Sequence, residues 1–249
     1  MRADIVTLFP EMFAGPFGDS ILKRAIDGGL LEVHFTQLRD FAYDKHHQVD
    51  DSPFGGGSGM VLKPEPMFRA VRSITDQINN GEKFRVLLMD PAGEVFTQKK
   101  AKELAEYQRL VFICGHYEGY DARITEYLAD EALSIGDYVL TGGELPAMVI
   151  IDAVARMLPG VLGSEESAPT DSFYEGILEH PQYTRPREFE GMAVPEVLFS
   201  GDHGKIRRWR REQALRLTRE RRPELLEKAE LSDEDRKILC ELSGKMNDG

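Results

Sequence analysis

The chain has 249 residues, 41% of them hydrophobic, and a formal net charge of −12. That length holds one large domain or two smaller ones with a real core, and the acidic balance argues against nucleic-acid binding by the chain as a whole. No run of about 18 uncharged apolar residues is present, so no membrane-spanning helix is expected, and the start of the chain does not read as a signal peptide. Cys114 and Cys240 lie far apart, one in a predicted strand and one on a predicted apolar helix face. This favours reduced thiols and a cytoplasmic protein over a disulfide framework. The six histidines show no metal-ligand spacing.

In chain order, residues 5–9 read as a buried strand and 20–25 as a short helix stopped by Gly28 and Gly29. Leu31, Val33 and Phe35 alternate as in a strand. Met67, Val71, Ile74 and Ile78 recur at helical spacing after Pro64 and Pro66. Residues 85–89 and 110–114 are apolar strands, with a helix around Ala101, Leu104 and Ala105 between them. The run 134–146 reads as an apolar segment closing in Gly142 and Gly143, with Pro146 suited to the first turn of an apolar helix over 145–158. Strands alternating with helices predict a mostly parallel α/β sheet. After Gly163 the composition turns small and polar, which reads as a linker. Beyond it the chain is largely helical, with Ser232 and Asp235 forming a capping box before Ile238, Leu239 and Leu242.

Four places carry candidate chemistry. Gly55, Gly56, Gly57, Ser58 and Gly59 follow Asp50 and Asp51. They fit either a mobile surface loop or one hugging a phosphate or nucleoside, with an aspartate accepting from a base. No Gly-Lys-Ser/Thr follows, so this is not a P-loop, and no G-x-G-x-x-G opens a helix after the first strand. A second glycine-marked loop, 113–119, ends the apolar strand at Cys114. Asp171 in the linker fits either a solvated turn, capped with Ser172, or a working carboxylate. Arg156, late in an apolar helix, fits either a pairing with the helix dipole or a charge held for a partner. Finally, nine basic residues between Lys205 and Arg222 face only Glu212 and Glu220, with Trp209 among four arginines. That is either a solvated helix face or a phosphate-binding patch with an aromatic for stacking.

Together these segments resemble the bacterial tRNA (guanine-37-N1)-methyltransferase family (TrmD) of the SPOUT class. The similarity runs over nearly the whole chain: 5–13, 49–62, 113–123, 134–163, 171–173, the run His180-Pro181-Gln182-Tyr183-Thr184-Arg185-Pro186, 198–201 and 206–210. The resemblance implies a trefoil-knotted α/β domain with a mostly parallel sheet over 1–162, a flexible linker over 163–173, and a small, mainly helical tRNA-binding domain over 174–249. It implies S-adenosylmethionine as methyl donor, bent within three loops. Leu87, Gly115, Tyr117, Glu118, Gly119, Ile135, Gly136, Asp137, Tyr138, Val139, Leu140, Gly142, Gly143 and Pro146 would hold it.

The same resemblance makes Asp171 the base that takes the guanine N1 proton and Arg156 the cation beside O6. It makes Asp50, Gly57, Gly59, Ser172, Arg207, Arg208 and Arg210 the contacts to tRNA. It further implies a homodimer with shared active sites, the helix over 145–158 facing the other subunit, and no membrane partner. The product the resemblance implies is N1-methylguanosine beside the anticodon, which would guard the reading frame. Mg²⁺ is possible, but no metal ligand set is readable; Glu118 is a candidate. His116 departs from relatives that carry arginine there.

Overall fold

The structure is a computed structural model that describes residues 1–163 and 170–244. The chain divides into two units, Met1–Ser164 and Glu165–Gly249.

The first unit is built on a five-stranded sheet. Its strands are β1 (Arg2–Thr7), β2 (Glu32–Gln37), β5 (Phe84–Val95), β6 (Arg109–Cys114) and β7 (Glu131–Ser134), in the order β2-β1-β6-β5-β7. Every pairing is parallel. Parallel strands need crossover helices, and those helices bury both faces of the sheet. All six residues of β6 are accordingly buried. Successive side chains point to opposite faces. Leu87, Met89, Leu110 and Phe112 join one core with the helices Ser20–Asp27, Gln98–Leu104 and Glu144–Ala155. Val86, Leu88, Val111 and Ile113 join the other with Pro64–Thr75 and Ala122–Tyr127. A small antiparallel pair, β3 (Asp50–Asp51) and β4 (Val61–Leu62), brackets the glycine-rich loop.

Two departures from the sequence reading have physical causes. The apolar segment 135–140 is not a strand. The strand is Glu131–Ser134, and Gly136 turns the chain out of it at a φ of 144°. The strand β5 also leaves its partner between Met89 and Glu94 and then re-pairs with β7. Gly93 there lies so close to the Ala132–Leu133 backbone that a Cβ has no room. The helix Glu144–Ala155 is apolar mainly because Ala147, Met148, Ile150, Ile151 and Val154 pack into its own core, leaving only Leu145 and Val149 as exposed large apolar residues.

The second unit packs the helix His203–Arg221 against Asp233–Gly244, around Ile177, Ala214, Leu215, Ile238 and Leu242. It is not helical throughout. A hairpin, β8 (Glu188–Phe189) and β9 (Met192–Ala193), turns on Glu190 and Gly191, both at positive φ. Cys240 is exposed rather than part of an apolar face, because the inward positions of its helix are Asp235, Ile238 and Leu242. The capping box forms: Ser232 Oγ accepts from Asp235 N at 3.1 Å, and Asp235 Oδ2 accepts from Ser232 N at 2.9 Å.

Asp235 is 2% exposed and also takes a two-point pair from Arg211, at 2.7 and 2.9 Å. The guanidinium, reinforced by Ser232, holds this carboxyl at a pKa of about 2. A depressed carboxylate stabilises the fold above its unfolded value near 4 and loses that contribution as pH falls through about 2, on the order of 2 kcal/mol. Trp209, the only tryptophan, reports on this unit. In urea titrations followed by its emission, the wild type should lose about that much stability between pH 4 and pH 2, and Asp235→Asn should lack this part of the slope. Equal slopes would exclude Asp235 as the source.

Candidate active site

A cleft opens at the interruption of β5 and outside the carboxyl ends of β6 and β7, the end at which open parallel sheets bind ligands. Its walls are the turn Met89–Pro91, the loop 115–120 after β6, and the chain 134–143 after β7, closed by Pro146. Glycines allow three chain segments to converge here. Gly143 N donates to Gly115 O at 2.9 Å. A Cβ on Gly143 would sit 2.7 Å from Cys114 Cα and 2.9 Å from Gly115 N. His116 and Gly142 form a bridge between the same segments. Within the loop, Tyr117 and Gly119 adopt positive φ, at 62° and 123°.

A buried polar layer lies behind the glycine wall, with Glu144 against Gly142. Glu144, 1% exposed in the first turn of its helix, accepts from Thr7 Oγ1 at 2.6 Å. Its charge suits a helix N-terminus. Burial, with the Glu144 charge behind it, pushes the Cys114 thiol well above its ordinary range, so it is an inert wall. His116 Nδ1 is buried without a hydrogen-bond partner, and the ring packs 4.8 Å from that of Phe9. Tyr120 donates to Asp90 and fixes that carboxylate on the rim. Ile135, Tyr138, Val139 and Leu140 supply an apolar side.

Most of the predicted donor-binding residues meet in this cleft: Gly115, Tyr117, Glu118, Gly119, Ile135, Gly136, Tyr138, Val139, Leu140, Gly142, Gly143 and Pro146 line it. Leu87 does not; it is fully buried two residues short of the opening, in the strand core. Asp137 is not among the lining residues. The glycine-rich loop docks on the same loop: Glu118 N donates to Met60 O at 3.1 Å, and the Glu118 side chain occupies the space a Cβ on Gly59 would need. Asp50 is paired with Leu62 at the base of that loop, and Gly57 lies within it. Sequence reasoning did not single out Asp90, Tyr120 and Ser134, which line the cleft, or Glu144 behind it. Asp90 and Tyr120 were signalled only by sitting beside the two loops, and Glu144 by nothing that distinguishes a buried carboxylate from an exposed one.

Arg156 is half-buried at the end of the helix Glu144–Ala155. Of the linker reading, residues 164–169 lie outside the described residues, whereas Asp171 to Ile177 form a tight turn in the second unit. Tyr174 N donates to Asp171 O at 3.3 Å, Phe173 N to Ile177 O at 2.7 Å, and Ser172 Oγ accepts from Glu179 N at 2.9 Å.

The basic helix is less uniform than its composition. Arg211 is taken up by Asp235 and Glu175, Arg222 by Glu224, Lys205 by Asp202, and Arg208 reaches Glu241 at 3.8 Å. Among the described residues Arg207 and Arg210 make no side-chain hydrogen bond or ion pair, and both are exposed. No group of three His, Cys, Asp or Glu stands ready for a metal ion among the described residues.

The family model described as tRNA (Guanine-1)-methyltransferase TrmD matches residues 1–228. Curated proteins named tRNA (guanine-N(1)-)-methyltransferase are similar along nearly their whole lengths. That of Desulforamulus reducens is 60% identical, covering 97% of this chain and 95% of its own. That of Staphylococcus epidermidis is 57% identical over 96% of both, and that of Dehalococcoides mccartyi 54% over 99% of both.

The convergence on Gly143 makes a stability prediction. Gly143→Ala should destabilise the first unit by about 1–3 kcal/mol through overpacking. Gly15→Ala, with nothing within 4 Å of the added Cβ, should change it little. Thermal unfolding of both variants by circular dichroism checks this; equal midpoints would mean the crossing is loose.

Proposed function

The chain belongs to the tRNA (guanine-1)-methyltransferase family, and on that premise we propose that it transfers a methyl group from S-adenosylmethionine to N1 of guanosine 37 in tRNA. The observation that carries the reading is the glycine-walled cleft at the interruption of β5 and the ends of β6 and β7, within a chain matched to the family from residue 1 to residue 228. The residues present fit the donor. Glycine backbone faces the cleft for the edge of an adenine, Ile135, Tyr138 and Leu140 offer apolar contact to its faces, and Asp90 and Glu118 offer negative charge to a cationic amino acid. When bound, the donor supplies a methyl already activated by its positively charged sulfur.

Guanine N1 carries a proton at neutral pH and is a poor nucleophile until it is removed. We assign that proton to the Asp171 carboxylate, and the negative charge growing on O6 to Arg156. Asp50, Gly57, Gly59 and Ser172 are assigned to the target nucleotide, and Arg207, Arg208 and Arg210 to phosphates. Asp171 belongs to the same unit as the basic helix, so RNA binding there can position the base, coupling recognition to chemistry.

The finer topology in this reading is a trefoil crossing where 135–143 passes the Gly115–Gly119 loop. The cleft encloses ≈ 160 Å³, less than the roughly 300–1,000 Å³ of most small-molecule sites. A second copy of the chain completing each site accounts for the shortfall, and exposed Val139, Leu145 and Val149 offer it an apolar surface. A cytoplasmic enzyme fits the tRNA substrate; among the described residues no helix is long and apolar enough to cross a membrane.

Labelled methyl transfer to two tRNA transcripts, with guanosine or adenosine at position 37, tests the reading. Label should enter only the first and be recovered as N1-methylguanosine; no transfer to either, with donor bound, would sink it. Asp171→Ala should lower turnover by at least about 100-fold with donor affinity within twofold of wild type, and near-normal turnover would remove Asp171 as base. The double change Arg207→Glu and Arg208→Glu should weaken tRNA binding at least about tenfold and flatten its salt dependence, leaving donor affinity unchanged. Unaltered tRNA affinity would refute the phosphate assignment.

A further inference from the structure

The second unit holds a cleft of which only Arg210 carries a role assigned above. It lies between the stretch His180–Arg187, the end of the turn at Leu198 and Phe199, and one side of the helix His203–Arg221, and it encloses ≈ 310 Å³. That reaches the lower end of the range for small-molecule sites. Its back wall is Trp209. The Tyr183 ring stands 6.2 Å from the indole at 52°, and the His180 ring 6.4 Å away at 56°. Neither ring lies flat on the tryptophan, so the tilted pairs leave wedge-shaped space beside its face. Tyr183 is 49% exposed, so it stands at the mouth rather than in a core.

The charge at this cleft is one-sided. Among the described residues Arg185, Arg187 and Arg210 line it and no carboxylate does, in a chain whose net charge is −12. Arg187 lies over the Phe199 ring at 4.3 Å, which holds its guanidinium at the wall. Arg210 is spent on no acidic side chain among the described residues. Of the arginines on this helix that are unpaired among the described residues, Arg210 is the one that lines the cleft beside the tryptophan and the half-exposed tyrosine. Aromatic faces that accept any π-surface, bordered by cations without competing carboxylates, are the chemistry that captures an unstacked base together with its phosphate.

We propose that this cleft takes one unstacked nucleotide of the RNA substrate, its base against Tyr183 and Trp209 and its phosphate on Arg210 or Arg185. The proposal rests on the reading that the chain binds tRNA, and adds a second anchoring point, on the second unit, apart from the methylated guanosine.

Trp209 is the only tryptophan, so its emission reads the cleft directly. The full-length protein is titrated with the guanosine-37 transcript and with transcripts carrying one abasic residue at successive positions of the anticodon arm. Emission should be quenched on binding. Tyr183→Ala should raise the Kd about 5- to 100-fold, while Tyr183→Phe, which keeps the ring, stays within about twofold. One abasic position should cost as much as Tyr183→Ala and add nothing to it. Unchanged emission at saturation, unchanged affinity in Tyr183→Ala, or abasic losses that all add in full to that variant would each overturn the proposal, as would equal quenching by polyglutamate. Methyl transfer is followed in parallel. Transfer without quenching defeats the cleft alone; quenching without transfer supports the cleft and defeats the proposed activity.

Discussion

The hydrogen bond from Gly143 N to Gly115 O is the contact on which the first unit's cleft depends. It ties the chain leaving β7 to the loop leaving β6 and fixes where the helix Glu144–Ala155 begins. Only glycine permits it, because the two backbones pass closer than a Cβ allows. Once the crossing is made, Glu144 falls into the buried space beside Thr7, and the end of β1 is joined to the start of that helix. A buried carboxylate costs free energy unless it is hydrogen-bonded. The hydroxyl of Thr7 and the N-terminal end of the helix meet that need, so a buried polar layer and a close backbone crossing support each other.

The edge of the sheet is secured differently. The shortest strand of the sheet, β7, has four residues and must hold against the interrupted strand β5. Lys100, from the helix Gln98–Leu104, reaches Glu131 of β7, Glu94 of β5 and Glu103 of its own helix, at 3.1–3.3 Å. Burial alone would lower the pKa of this ammonium, but the three carboxylates outweigh it and hold the group charged. Asp130 adds a bond from Val86 N at 2.7 Å. The wall of the cleft that carries Ile135 and Tyr138 is therefore anchored by charge in the layer behind it.

Much of this was legible in the sequence because it is periodic or glycine-marked. The continuous apolar runs 85–89 and 110–114, the alternation of Leu31, Val33 and Phe35, and helical spacing from Met67 to Ile74 gave the sheet and one of its covering helices. The glycines at 115, 119, 142 and 143 marked the loops that meet in the cleft. What the sequence hid follows from contacts between distant segments. Strand β7 is too short and too acidic at its start to stand out, and only pairing with β5 makes it a strand. Leu87, which the resemblance implies as a donor contact, has its side chain in the sheet core. The hairpin at Glu190 and Gly191 has no alternating flank to announce it. Cys240 sits in an apolar-looking helix at a position that faces water.

The arginines of the second unit carry the same lesson to function. Composition gives a cationic helix, and periodicity cannot say which cations are available. Arg211 faces the helix Asp233–Gly244 and is consumed by a buried aspartate, so it acts as part of the core. Arg210, its neighbour, points to a different side and lines a cleft with Trp209. One step along a helix turns a side chain by about 100°, enough to separate a residue that holds the unit together from one free to meet a phosphate. The chain's acidic excess does not oppose RNA binding for the same reason. Part of it neutralises Arg211, while Arg185, Arg187 and Arg210 stand beside Tyr183 and Trp209.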